Sequence, residues 1–195
     1  MKKFELTSEF ITNIFGTKLF RIKALIEFGN VKAGELGGFV EKEENLSQDG
    51  NAWVYDNARV YDNARVYGDA CVCGDARVYG DACVYGDACV YDNARVCGDA
   101  RVCGDARVYG DACVCGDARV YGDAGYATVH GFGSEYRTTT FFKTKAGDIG
   151  VKCGCFYGNL SEFRKKVVET HGETKKAKEY LMLADLMEFR FSDNS

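Results

Sequence analysis

The chain has 195 residues, 46% of them hydrophobic, with 25 Lys and Arg against 29 Asp and Glu for a formal charge of -4. That length suffices for one packed body with small caps, and the acidic balance disfavours nucleic acid as a partner held by general electrostatic attraction. No apolar run reaches the roughly 18 residues of a membrane span, and the start MKKFELTSEF lacks the apolar core of a secretory signal, so the expectation is a cytoplasmic protein with no membrane partner.

Residues 1–30 contain GTKLFRIKAL, an alternating run that predicts a strand in an N-terminal cap. The next stretch, GELGGFVEKEENLSQDGNAWV, reads as imperfect repeats leading into a regular series. From Ala52 an alanine recurs every six residues to Ala124, and a valine follows two residues later from Val54 to Val120. Residues two apart on a strand share a face, so Ala and Val point to one side and the intervening Arg, Cys, Tyr or Trp to the other. Six residues with a two-residue corner are too few for a helix and too regular for separate hairpins. The economical arrangement stacks each short strand on its equivalent one coil later.

The corners are Gly-Asp, as at Gly68-Asp69, or Asp-Asn, as at Asp56-Asn57. These residue types tolerate positive φ or bond their own backbone. No corner from residue 56 to 123 carries two carboxylates. Like charges one rung apart, about 4.8 Å, repel by about 0.9 kcal/mol even in water, so the rule reads as electrostatic restraint. Proline is absent, which suits uninterrupted strand pairing.

Beyond YGDAGYATVHGFGS the repeat stops. TTTFFKTKAGDIGVKCGCF predicts a β-hairpin turning near Ala146-Gly147-Asp148. Asn159 and Glu162 have capping-box spacing and open a helix that ends near His171-Gly172. A second helix, about 174–189, places Tyr180, Leu183, Ala184 and Met187 on one face, expected to cover an end of the coiled body, with dimerisation as its rival use. The division is thus a cap over 1–30, a coiled body over 31–133 with regular coils over 51–124, and a cap of hairpin plus two helices over 134–195.

The A-x-V unit, with Val60 followed by Ala64 and Val66 by Ala70, resembles the hexapeptide-repeat family. That resemblance implies a mainly β fold: a left-handed parallel β-helix of triangular section, three hexapeptides per coil, with residues 18 apart stacked. FELTSEF, GELGGFVEKEENLSQ and CGCFYGNLSEFRKKVVETH look like the hexapeptide-repeat proteins of bacteriophages and prophages. This implies a phage or prophage origin without attaching an activity.

Many members of the family are acyltransferases that use a histidine base and a cleft between subunits. Here His130 and His171 are the only histidines, and no loop interrupts the coils, so no catalytic residue is assigned. Two histidines are also too few for the three-histidine zinc site of the related carbonic anhydrases. Eight of ten cysteines lie in the repeat and are expected as reduced thiols. Cys71, Cys73 and Cys89 gather on one face, and Cys97, Cys113 and Cys115 on another. Tetrahedral thiolates need sulfurs under about 4 Å apart, whereas i and i+2 on a rigid strand stand about 6–7 Å apart, so neither metal nor cofactor is expected. Cys153 and Cys155 could join His171 as a nucleophile dyad or pack in a small core.

The outward arginines give the ligand-binding expectation. Arg59, Arg77 and Arg95 fall on one face with Tyr61 and Tyr79, while Arg65, Arg101 and Arg119 share another with Tyr67, Tyr85 and Tyr121. Guanidinium groups beside aromatic rings can clamp phosphate or stack on bases. The plainer alternative is that tyrosines cover the sheet while arginines neutralise corner aspartates. The resulting expectation is a non-catalytic interaction protein, a homo-oligomer, engaging a host protein or sequestering a small phosphorylated ligand and so counteracting host defence. The alternatives are a hexapeptide-type acyltransferase and an acidic nucleic-acid mimic that inhibits a DNA-processing enzyme.

Overall fold

The computed structural model describes residues 2–132 and 137–192. Its body is a parallel β-solenoid of about five turns. Strands β4 to β15 are two-residue rungs, from Trp53–Val54 and Arg59–Val60 every six residues to Arg119–Val120. Each pairs in parallel with the rung 18 residues away, as Arg59 does with Arg77 and Val60 with Val78. Ladder bonds run between coils: Arg59 N donates to Ala76 O at 2.9 Å and Tyr61 N to Val78 O at 3.1 Å. Every repeat alanine from Ala52 to Ala118 and every valine from Val54 to Val120 is fully buried. Each valine contributes about 2 kcal/mol of apolar burial, and alanine at the next inward position keeps the coil narrow. The corners take the chemistry the sequence assigns them. Gly68 turns with φ 72°, and Asp56 occupies the equivalent left-handed position with φ 52°.

Strands β1 (Phe4–Thr12) and β2 (Lys18–Ala24) form an antiparallel hairpin. Strand β3 (Leu36–Val40) joins them to the solenoid, antiparallel to β2 and parallel to Arg59–Val60. This hairpin covers Trp53, which sits at an outward repeat position yet is fully buried, edge-on to Phe4 and Phe28. The first coil is only partly paired from above, by β3 and by Leu46 against Val66, so side chains take up carbonyls left free. Lys3 Nζ donates to Ala52 O at 3.0 Å and Gly50 O at 3.3 Å, and Asn45 Nδ2 donates to Ala64 O at 2.9 Å and Asp62 O at 3.1 Å.

At the other end the expected hairpin is two strands of a four-stranded antiparallel sheet: β16 (Tyr126–Phe132), β17 (Arg137–Lys143), β18 (Ile149–Cys153) and β19 (Phe156–Asn159). The anticipated body boundary at residue 133 lies outside the described residues, and the strand preceding it, β16, already belongs to this sheet. Alternation splits the sheet's faces. Tyr126 and Phe142 enter the solenoid core, whereas Phe141 and Val151 face helices α1 (Leu160–His171) and α2 (Lys175–Phe191). Tyr180, Leu183, Ala184 and Met187 therefore pack on the sheet and do not cover the coil end or serve dimerisation. The helix start is as the spacing predicts: Asn159 Oδ1 accepts from Glu162 N and Glu162 Oε2 from Asn159 N, both at 2.9 Å. Among the described residues no helix is long and apolar enough to cross a membrane.

Candidate functional site: an arginine and tyrosine groove

One side of the solenoid belongs to the seven-stranded sheet that includes β1, β2 and β3. In-register pairing places Phe39, Arg59, Arg77, Arg95 and Cys113 in one outward column. A parallel column begins with Tyr61 and Tyr79, whose rings stack at 5.1 Å with planes 2° apart. Leu19, Phe39 and Tyr61 form a small outer cluster, with Ile11 and Tyr79 packed against it, and root the hairpin on this side.

The turn between β1 and β2 then overhangs the ladder. Asn13 builds it: its Oδ1 accepts from Phe15 N and Thr17 N, both at 2.9 Å. Gly16 completes the turn with φ 85°. Ile14 and Phe15 are thereby held out at 91% and 80% exposure. Together Asn13, Ile14, Phe15, Arg59, Tyr61, Arg77, Tyr79 and Arg95 line a groove of about 260 Å³. All five residues expected to bind a ligand are brought together there. The turn was missed, although an apolar Ile-Phe pair between Asn13 and Gly16 is the signature of a projecting tip.

Charge balance in the groove is one-sided. Among the described residues, no ion pair joins Arg59, Arg77 or Arg95 to a carboxylate. The corner aspartates are instead engaged along the stack: Asp56 Oδ2 accepts from Gly74 N at 3.2 Å and Asp62 Oδ2 from Gly80 N at 3.1 Å. Burial pushes the Tyr61 phenol up, against the nearby Arg77 and Arg59 charges, and burial together with a hydrogen bond to Cys97 does the same to Tyr79. Both phenols are therefore neutral, and the positive charge of the arginines is uncompensated within the groove.

Further along this side the tyrosine column becomes Cys97 and Cys115, beside Cys113. The three sulfurs lie within 4.8 Å of one another. The rigid-strand spacing that argued against such a cluster describes Cβ positions, and each Cβ–Sγ bond can swing inward from there. Hydrogen bonds from Cys113 and Cys115 hold the Cys97 thiol well below its ordinary range, while the same network drives Cys115 up.

The profile of the YdcK Beta solenoid repeat matches residues 52–68, 58–74 and 100–116, two of these offset by one hexapeptide. The Uncharacterized acetyltransferase YdcK of Escherichia coli (strain K12) is 40% identical over 63 residues, which cover 29% of this chain and 19% of that protein. The chain is a repeat β-solenoid protein. The chain thus covers under a fifth of the length of the relative it matches.

The other sequence candidates of this solenoid protein are distributed as follows. Arg65, Arg101 and Arg119 share one sheet with Cys83 inserted between them, and Tyr67 stacks on Tyr85 at 4.9 Å. Arg119 Nη1 is spent on the carbonyls of Asp99, Asp117 and Ala118. Cys89 stacks on Cys71, with sulfurs 2.8 Å apart. His130 lies in β16, exposed, its Nδ1 3.1 Å from Thr138 Oγ1. Cys153, Cys155 and His171 line one cleft of about 240 Å³ between the terminal sheet and the helices, together with Arg137 and Tyr180. There Thr139 Oγ1 donates to Cys153 Sγ at 3.1 Å and the His171 ring stacks on Tyr180 at 5.8 Å.

Proposed function

We propose that the protein is a non-catalytic binding solenoid whose groove takes a small phosphorylated ligand bearing a flat ring, such as a nucleotide. The observation that carries this reading is the convergence of three arginines without ion-pair partners, among the described residues, on stacked tyrosines under an apolar overhang. Guanidinium groups bond phosphate oxygens in pairs, and their charge-assisted bonds are about twice as strong as neutral ones. Phe15 and the edge of the tyrosine stack supply aromatic surface for a base. Charge complementarity also favours capture of an anion by a protein that is acidic overall, because the local column, and not the net charge, sets the field at the groove.

The test is calorimetric titration with a panel of nucleoside mono-, di- and triphosphates. Arg77→Glu with Arg95→Glu is expected to abolish the binding seen for the parent protein, and Phe15→Ala to weaken it about tenfold by removing one stacking surface. Unchanged affinity in the double variant would leave the face as scaffold alone.

The name of the Escherichia coli relative favours a second reading, acyl transfer. The matched solenoid repeats lie at 52–74 and 100–116, whereas both histidines, His130 and His171, lie in the terminal cap. Turnover of acyl-CoA that is lost in His130→Ala or His171→Ala would replace the binding reading.

A further inference from the structure

The thiol cluster at the far end of the same side carries chemistry that the groove does not use. We propose that Cys97, Cys113 and Cys115 form a three-thiolate site for one divalent d10 metal ion of the zinc class. The sulfurs already lie within 4.8 Å of one another. Bonds of about 2.3 Å at tetrahedral angles ask for sulfur separations of about 3.8 Å, so closure takes about 1 Å of side-chain rotation and no movement of the ladder. A donor set of three sulfurs selects soft, thiophilic ions over magnesium or calcium. Cys97 and Cys115 are stacked one coil apart and Cys113 shares a strand end with Cys115, so the rungs hold all three on one triangular face.

The surroundings suit a divalent ion. Three thiolates and one M²⁺ leave a charge of -1, and the Lys152 ammonium of β18 is close enough to act on both Cys97 and Cys113. Thr140 of β17 accepts the Cys113 N–H at 3.0 Å through its Oγ1 and fixes the backbone at the site. Cys115 is buried, while Cys97 and Cys113 are half-buried, which leaves the fourth position for a water molecule or a small external donor. The second trio is the natural control. Cys71, Cys73 and Cys89 have the same two separations in the reverse order, yet among the described residues only Cys97, Cys113 and Cys115 bring three such donors together.

The experiment titrates the reduced, full-length protein anaerobically with Cd²⁺ as a reporter and reads the thiolate-to-cadmium charge-transfer band, then repeats the titration with Zn²⁺ in competition. The parent protein is expected to show a tight equivalent that Zn²⁺ displaces. Cys97→Ser, Cys113→Ser and Cys115→Ser should each weaken that equivalent at least about tenfold by removing one ligand. Cys71→Ser and Cys153→Ser should leave it unchanged. Thermal melts of the metal-free variants confirm that serine, nearly the same size, has not unfolded the coil. Retention of the tight equivalent in the folded Cys113→Ser and Cys115→Ser variants, its loss in Cys71→Ser, or its absence from the reduced parent would overturn the proposal.

Discussion

Lys3 shows how one side chain can close the end of an open ladder. Its ammonium reaches the carbonyls of Ala52, Gly50 and Asp49 and lies 4.9 Å from the centre of the Phe28 ring. Burial lowers its pKa from 10.5 to about 8, against the opposing charges of Asp49 and Asp69. The unfolded chain then holds more protons than the folded one between about pH 8 and 10.5, so this residue makes stability rise with pH across that window. Lys3→Met is expected to flatten the slope of Tm against pH from 8 to 10, with melts in matched buffers as the check. A parent slope no steeper than that of the variant would mean that Lys3 is solvated. None of this was legible in MKKFELT, because which of two adjacent lysines is buried depends on how the hairpin folds back over Gln48 and Gly50. Trp53 is a similar case. Its repeat position marks it as outward, and only the distant Phe4 and Phe28 make it part of the core.

At the scale of elements, the corners carry the clearest agreement between residue choice and backbone. Asp56, Gly74, Asp92 and Gly110 occupy one column of left-handed positions. Their partners Asn57, Asp75, Asn93 and Asp111 alternate in the opposite sense, so consecutive carboxylates are staggered along the column. Where Gly68, Gly86 and Gly104 stack instead, a Cβ on Gly86 would meet Gly104 N at 3.0 Å. Asp62 already tolerates the corresponding position above Gly80, so steric cost alone does not forbid a side chain at 86. Gly86→Asn is therefore expected to cost about 1 kcal/mol or less, whereas Gly86→Asp adds a carboxylate beside Asp87 and between the flanking Asp69 and Asp105. Its further loss, on the order of 1 kcal/mol, should shrink as salt is raised. Urea unfolding at two ionic strengths separates the terms, and equal losses for the two variants at low salt would refute the electrostatic account. The rungs and the α1 start were readable because period and capping are local. The four-stranded terminal sheet was not, since β16 and β19 each pair with strands whose identity only the tertiary arrangement fixes. The separation of the sulfur trio is shorter than the strand spacing implies for a different reason: strand geometry fixes Cβ spacing, and the last bond of each cysteine rotates freely from there.

For the molecule as a whole, the two caps meet the solenoid on specific rungs. At the C-terminal end Phe142 enters the core, Ala118 bridges to Thr144, and Tyr157 lies over Gly116 with its hydroxyl donating to Asp117 Oδ1 at 3.4 Å. A Cβ on Gly116 would overlap that hydroxyl. Gly116→Val is expected to undock the sheet, raising hydrogen exchange in β17 and β18 while the coils around Val72 and Val78 stay protected. Uniform protection throughout would show that the cap is held elsewhere. The N-terminal cap is equally tied to one side, since the Asn13–Gly16 turn overhangs the Arg59 column and no other.

This fixed phase restricts how the chain can change in length. An insertion of 18 residues between the caps adds one storey and leaves Phe15 above the same column, with one more outward position beneath it. An insertion of six ahead of Cys97 would swing the lower cap, with its cysteines, by a third of a revolution relative to the Asn13–Gly16 turn. Growth of this protein is therefore quantised: only whole storeys preserve the alignment of its two ends, and each adds a place for another guanidinium to the column.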